Sequence, residues 1–134
     1  MLTIELALVI CKQGEDRDKA VAALVSCGLN PICCSNLQEA RTLLAQEPFR
    51  IVLCNDALAD GDYRTVLREV RKTGGEVPVI VLAHAAEWES YLMALGLGAF
   101  DYICCPPDPS EANKIIWSAL EETGAPEHTA RLAC

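Results

Sequence analysis

Five short apolar runs punctuate the chain: LALVI at 6–10, PICC at 31–34, RIVLC at 50–54, VPVIVL at 77–82 and FDYICC at 100–105. Each is rich in aliphatic residues and lacks alternation, the pattern of a strand covered on both faces. A stretch of helical periodicity follows each run. The first, over 16–27, sets Ala20, Val21, Leu24 and Val25 on one face, with Gly28 as its C-cap. The second spans 37–46, where Ser35 or Asn36 can accept the free amides of the first turn, Glu39 stands near the capping-box position and Pro48 ends the pattern. The third, over 63–72, separates Val66, Leu67 and Val70 from Arg64, Arg68, Arg71 and Lys72 and stops at Gly74-Gly75. The fourth, over 87–95, is less regular and runs into GLGAF, whose glycines suit a tight turn. The last opens at Pro109 behind an Asp108 cap and turns Ile115, Ile116, Ala119 and Leu120 inward.

Strands joined by single helices form right-handed crossovers, so the expected fold class is α/β with a parallel, doubly wound sheet. The 134 residues suit one core, with the domain over 1–122 and a flexible tail or linker start over 123–134. Apolar residues make up 51% and aromatics 5%, so Ala, Val, Ile and Leu must build the interior. No apolar stretch reaches the roughly 20 residues a membrane span requires. The start MLTIELALVI lacks a basic region and cleavage site, so a cytoplasmic location is expected. The formal net charge of −8 argues against direct contact with nucleic acid. Eight cysteines lie mostly within strand runs and form no C-x-x-C pair, so they read as reduced, small hydrophobes.

In an open α/β sheet the chemistry sits where strands end. Runs one, three, four and five are followed by Cys11-Lys12, Asn55-Asp56, Ala83-His84 and Cys105-Pro106. The segments IVLCNDALADGDY, VPVIVLAHAA and GAFDYICCPPDP resemble three motifs of the response-regulator receiver (CheY-like) family of two-component signalling. The likeness extends over roughly residues 5 to 121 and implies a flavodoxin-like sheet in strand order 2-1-3-4-5, with helices one and five on one face. Matching Leu58 and Asp62 to the family's pattern puts Asn55 at the phosphoacceptor position, with Asp56 one place beyond and Ala59 at the usual proline. The same likeness puts Cys11 and Lys12 at the metal-binding acidic pair, Ala83 at the hydroxyl position, Cys105 at the lysine and Tyr102 at the switch aromatic. It also implies a cis bond before Pro106.

Phosphotransfer to an aspartate needs a carboxylate nucleophile, a divalent cation held by acids, and a hydroxyl and an ammonium on the product. An amide at 55 cannot be that nucleophile. The resemblance therefore implies a degenerate receiver: a signalling module rather than an enzyme, with no magnesium, independent of phosphorylation and acting through protein–protein contacts. Its expected partners are a signalling protein, a histidine kinase or an attached output domain, or a second copy through helix four (87–95), strand five (100–105) and helix five (109–121). Trp88, Tyr91 and Trp117 are the candidate anchors there.

Other readings stay open. Asn55 and Asp56 can simply cap a turn, and Tyr102 can be a packed aromatic. Asp56 can be a displaced acceptor. Cys11 and Cys105 can form a thiol or metal sensor with His84 and Asp56 as further ligands. A flavodoxin-like electron carrier is disfavoured, because the first loop, CKQGED, lacks a phosphate cradle.

Overall fold

Aliphatic runs that show no alternation must be covered from both sides, and that requirement builds the molecule. A computed structural model describes residues 5–85 and 87–121; the expected tail over 123–134 lies outside them. Five strands, β1 (Leu6–Ile10), β2 (Asn30–Cys34), β3 (Phe49–Asn55), β4 (Val79–Ala83) and β5 (Asp101–Cys104), form one sheet in the order β2-β1-β3-β4-β5. Every pairing is parallel, with Leu8 opposite Ile32 and Val52, Leu53 opposite Ile80, and Leu82 opposite Ile103. The helices are α1 (Glu15–Ser26), α2 (Leu37–Gln46), α3 (Tyr63–Lys72), α4 (Trp88–Gly96) and α5 (Pro109–Glu121). No helix of the described residues is long and apolar enough to cross a membrane.

Alternate strand residues feed two cores. Ala7, Val9, Ile51, Leu53, Ile80 and Leu82 pack under α1 and α5. Leu8, Ile10, Val52, Cys54, Val79 and Val81 face α2, α3 and α4. The inward faces expected of α3 and α5 are buried, including Val66, Leu67, Val70, Ile115 and Ile116. In α1 the buried stripe is instead Ala20, Ala23 and Leu24, and Val25 is 56% exposed. Ala20 and Leu24 thus face inward as expected and Val21 packs at the core margin, while a small rotation exchanges Val25 for Ala23.

A short antiparallel ribbon, Ala57–Leu58 with Gly61–Asp62, follows β3 and was not expected. It fastens the β3–α3 loop to α2. The Asp60 carboxylate accepts the Leu37 and Gln38 amides at 2.9 and 3.2 Å, and Asn36 accepts Glu39 N–H at 2.9 Å. Three of the four free donors at this helix start are thus satisfied by side chains from two segments. The amides also hold the Asp60 carboxyl below the usual aspartate range.

Gly61 makes that approach possible, since its φ is 151° and a Cβ there would stand 2.3 Å from Leu37 Cδ1. Leu37 is buried, so making room for that methyl means repacking the core around it. Gly61→Ala should lower stability by about 1–3 kcal/mol in chemical denaturation. Gly75→Ala, whose added methyl would meet Val77 and Thr73 at ordinary contact distances of 3.7 and 3.9 Å, should change it by less than about 1 kcal/mol.

Candidate functional site

Parallel strands deliver their carboxyl ends to one edge. There Asn55 is 1% exposed and makes two side-chain hydrogen bonds. Its Oδ1 accepts the Lys12 backbone N–H at 3.2 Å and its Nδ2 donates to the Leu82 carbonyl at 3.5 Å. The amide thereby joins the ends of β1, β3 and β4. The Asp56 N–H also reaches the Leu82 carbonyl, at 2.9 Å, and the Cys105 N–H reaches that of Ala83 at 2.7 Å. Ala83 is fully buried, and the Cys105–Pro106 bond is cis.

Asp56 points outward and carries the second layer of the site. His84 Nδ1 lies 3.1 Å from Asp56 Oδ1, and its Nε2 lies 3.6 Å from Asp16 Oδ2. One imidazole therefore bridges the β3 end to the start of α1. Arg17, the next residue of α1, donates to the Cys11 carbonyl at 2.8 and 3.0 Å and to Ser35 Oγ at 2.9 Å. A pocket of about 260 Å³ opens between these groups, lined by Cys11, Lys12, Gly14, Asp16, Asn55 and His84. Sequence reasoning missed Asp16 altogether. Its only signal is its place in the first turn of a helix that starts just after β1.

Among the described residues no three of His, Cys, Asp and Glu converge, and the Asp16 and Asp56 carboxylates both face His84. The two thiols at this edge are held protonated. Burial, then the nearby Asp16, pushes the Cys11 thiol up, and burial with Asp16, Cys11 and Asp56 pushes Cys105 up to about 12.

No family model matches the chain. It is 31% identical over 121 residues to the regulatory protein AtoC of Escherichia coli, covering 90% of this chain and 26% of AtoC. It is 27% identical over 114 residues to the response regulator protein PilR of Pseudomonas aeruginosa, covering 85% of this chain and 26% of PilR. Two solved structures share the architecture. One is a CheY-like receiver domain protein from Methanospirillum hungatei, with TM-score 0.78, 21% identity, and 90% and 97% of the two chains covered. The other is the beryllofluoride-activated NtrC4 receiver domain dimer, with TM-score 0.80, 20% identity, and 89% and 98% covered. The chain is a response-regulator receiver (CheY-like) domain. It spans about a quarter of the length of the curated relatives it matches.

Within this receiver domain the three candidate anchor aromatics separate. Tyr91 is 1% exposed, packed edge-on to Tyr102 at 5.9 Å and stacked under Trp88 at 5.6 Å, so it is core and not surface. Trp117 is exposed but lies elsewhere. Asn113 Nδ2 donates to Ser26 Oγ of α1 at 2.8 Å, and Trp117 follows one turn later on that α1 side of α5. Trp88 and Leu92 are thus the exposed apolar pair on the outer flank of α4. Tyr102 is buried, with its hydroxyl donating to the Ala85 carbonyl at 3.2 Å.

Six described cysteines are free, but Cys104 is disulfide-bonded, which corrects the expectation that all are reduced. Cys33 is the exposed free thiol and Cys11 and Cys54 are buried. Iodoacetamide at pH 7.5 should label Cys33 first by peptide mapping and leave Cys11, Cys54 and Cys105 unlabelled in the folded domain. The raised thiol also sets a pH window. The stability Cys105 contributes is complete below about pH 9 and is lost as pH rises toward about 12.

Proposed function

We propose that this receiver domain works without a phosphoryl switch, as a docking module of a two-component system that holds one conformation. The observation that carries the reading is that Asn55, which the family likeness aligns with the phosphoacceptor, is buried and tied to Lys12 N–H and the Leu82 carbonyl. A neutral amide offers no attacking oxygen. Cys11 and Lys12 at the acidic pair, Ala83 at the hydroxyl and Cys105 at the lysine remove the cation, the product donor and the charge clamp together. A ligand moves an equilibrium only by binding its two states differently, and this pocket has lost the contacts that would do so.

On this reading the domain is not an enzyme, needs no magnesium and acts in the cytoplasm. Its partner is a histidine kinase, another signalling protein or an output domain in the same polypeptide, rather than nucleic acid. The domain's resemblance to only about a quarter of AtoC and PilR supports the last of these. The outer flank of α4, led by Trp88, is the proposed contact face. A competing reading makes Asp56 a displaced acceptor. Its carboxylate is partly exposed, yet one oxygen is already engaged by His84.

Acetyl phosphate with millimolar Mg²⁺ should leave the intact mass unchanged. A hydroxylamine-labile phosphoryl adduct that disappears in Asp56→Ala would establish the competing reading. In partner titrations, Asn55→Asp should stay within a few-fold of the parent, whereas Trp88→Glu should weaken binding ten-fold or more, about 1.4 kcal/mol. The opposite pattern would make the pocket the working site.

A further inference from the structure

Four of the eleven Lys and Arg residues of this acidic chain stand on the ten residues of α3. Three of them form a stripe. Arg64, Arg68 and Arg71 recur at i, i+4 and i+7, so their guanidinium groups lie along one flank of the helix over about 10 Å. That flank faces α4, because Arg64 Nη2 lies 3.2 Å from Met93 Sδ and Arg71 donates to the Leu97 carbonyl. Arg68, between them, hydrogen-bonds among the described residues to Thr65 Oγ1 in its own helix.

None of the three has a carboxylate within 4.0 Å among the described residues. The other flank of α3 differs, since Glu69 there pairs with both Arg41 and Lys72. Like charges at this spacing oppose one another. Beside the stripe, Met93 and Leu97 are 50% and 39% exposed. The groove between α3 and α4 therefore sets three arginines with no carboxylate within 4.0 Å beside exposed Met93 and Leu97, while Asp56 and Glu87 line only its Arg64 end.

We propose that this groove docks an acidic amphipathic helix of a partner protein. Its carboxylates at i, i+4 and i+7 would meet the three arginines, and its apolar side chains would cover Met93 and Leu97. A nucleic-acid backbone fits less well, because the chain carries a net charge of −8 and the rim is apolar. A second copy fits less well too, since no described helix of this chain bears acids at that spacing. The groove lies on the opposite flank of α4 from Trp88. The inference shares with the proposed function only the premise that the domain docks a protein.

The test is fluorescence anisotropy with a labelled helical peptide of about 20 residues, carrying Glu at i, i+4 and i+7 beside a Leu stripe. Its Gln counterpart and a short DNA duplex serve as comparisons. The Glu peptide should bind, and added salt should weaken it. Arg68→Glu should reduce affinity about ten-fold, the double variant Arg64→Gln/Arg68→Gln should act in the same direction, and Trp88→Glu should leave it within two-fold. Because Arg68 is exposed and its hydrogen bond stays within α3, its variants should keep the fold, checked by an unchanged melting curve. Equal binding of the Gln peptide, tighter binding of the duplex, or arginine variants that behave like the parent would overturn the groove. Loss of peptide binding in Trp88→Glu alone would also overturn it while leaving the proposed function in place. A phosphoryl adduct on Asp56 would refute the proposed function and leave the groove untouched.

Discussion

The amide of Asn55 holds the strand ends together where the sheet would otherwise concentrate unmet polar groups. Covering both faces of a parallel sheet leaves its carboxyl edge as the place where backbone donors and acceptors collect. Asn55 answers two of them at once, accepting from Lys12 N–H and donating to the Leu82 carbonyl. A carboxylate could accept but not donate. Ionised in so dry a position, it would also need a cation beside it. Once the centre is neutral, its neighbours need not carry charge. A buried methyl at Ala83 and high-pKa thiols at Cys11 and Cys105 are then consistent with their surroundings.

That neutral centre is ringed by charge arranged at a distance. His84 spans Asp56 and Asp16, and Arg17 clasps the Cys11 carbonyl and Ser35, so α1 is pinned to β1, β2, β3 and the loop after β4. Tyr102 secures the same loop from its other side through the Ala85 carbonyl. The loop after β4 is thereby fastened twice by groups the chain itself supplies. Turning Tyr102 outward would break its hydrogen bond and its edge contact with Tyr91 together.

The sheet and all five helices were legible because each depends on periodicity within a short window. The expected bounds of α2 and α3 coincide with Leu37–Gln46 and Tyr63–Lys72, where caps and breakers agree with the apolar spacing. Helix rotation was less legible. Val25 and Ala23 sit only two residues apart on α1, and which of them meets the sheet depends on how closely the helix packs. Tyr91 and Trp88 show the same limit on α4, where two adjacent aromatics compete for one buried place beside Tyr102 and only the first fits. The residues that meet only in three dimensions were legible in part: the strand-end rule brought His84 and Asp56 to one edge, but it did not reach Asp16 or Asp60. Asp16, His84 and Asp56 come from separate elements, and so do Asp60 and the α2 start.

The same division explains why charge is a poorer guide than pattern. A net charge of −8 correctly describes the average surface and conceals its distribution. Glu69 neutralises the α2-facing flank of α3, while the α4-facing flank keeps three guanidinium groups beside exposed Met93 and Leu97. Interactions between exposed charges fade over roughly 8–10 Å at physiological salt, so an incoming segment feels the flank it approaches rather than the sum over the molecule. A domain with an acidic total can therefore select an acidic partner, provided its few cations are gathered on one flank and left without carboxylates in contact.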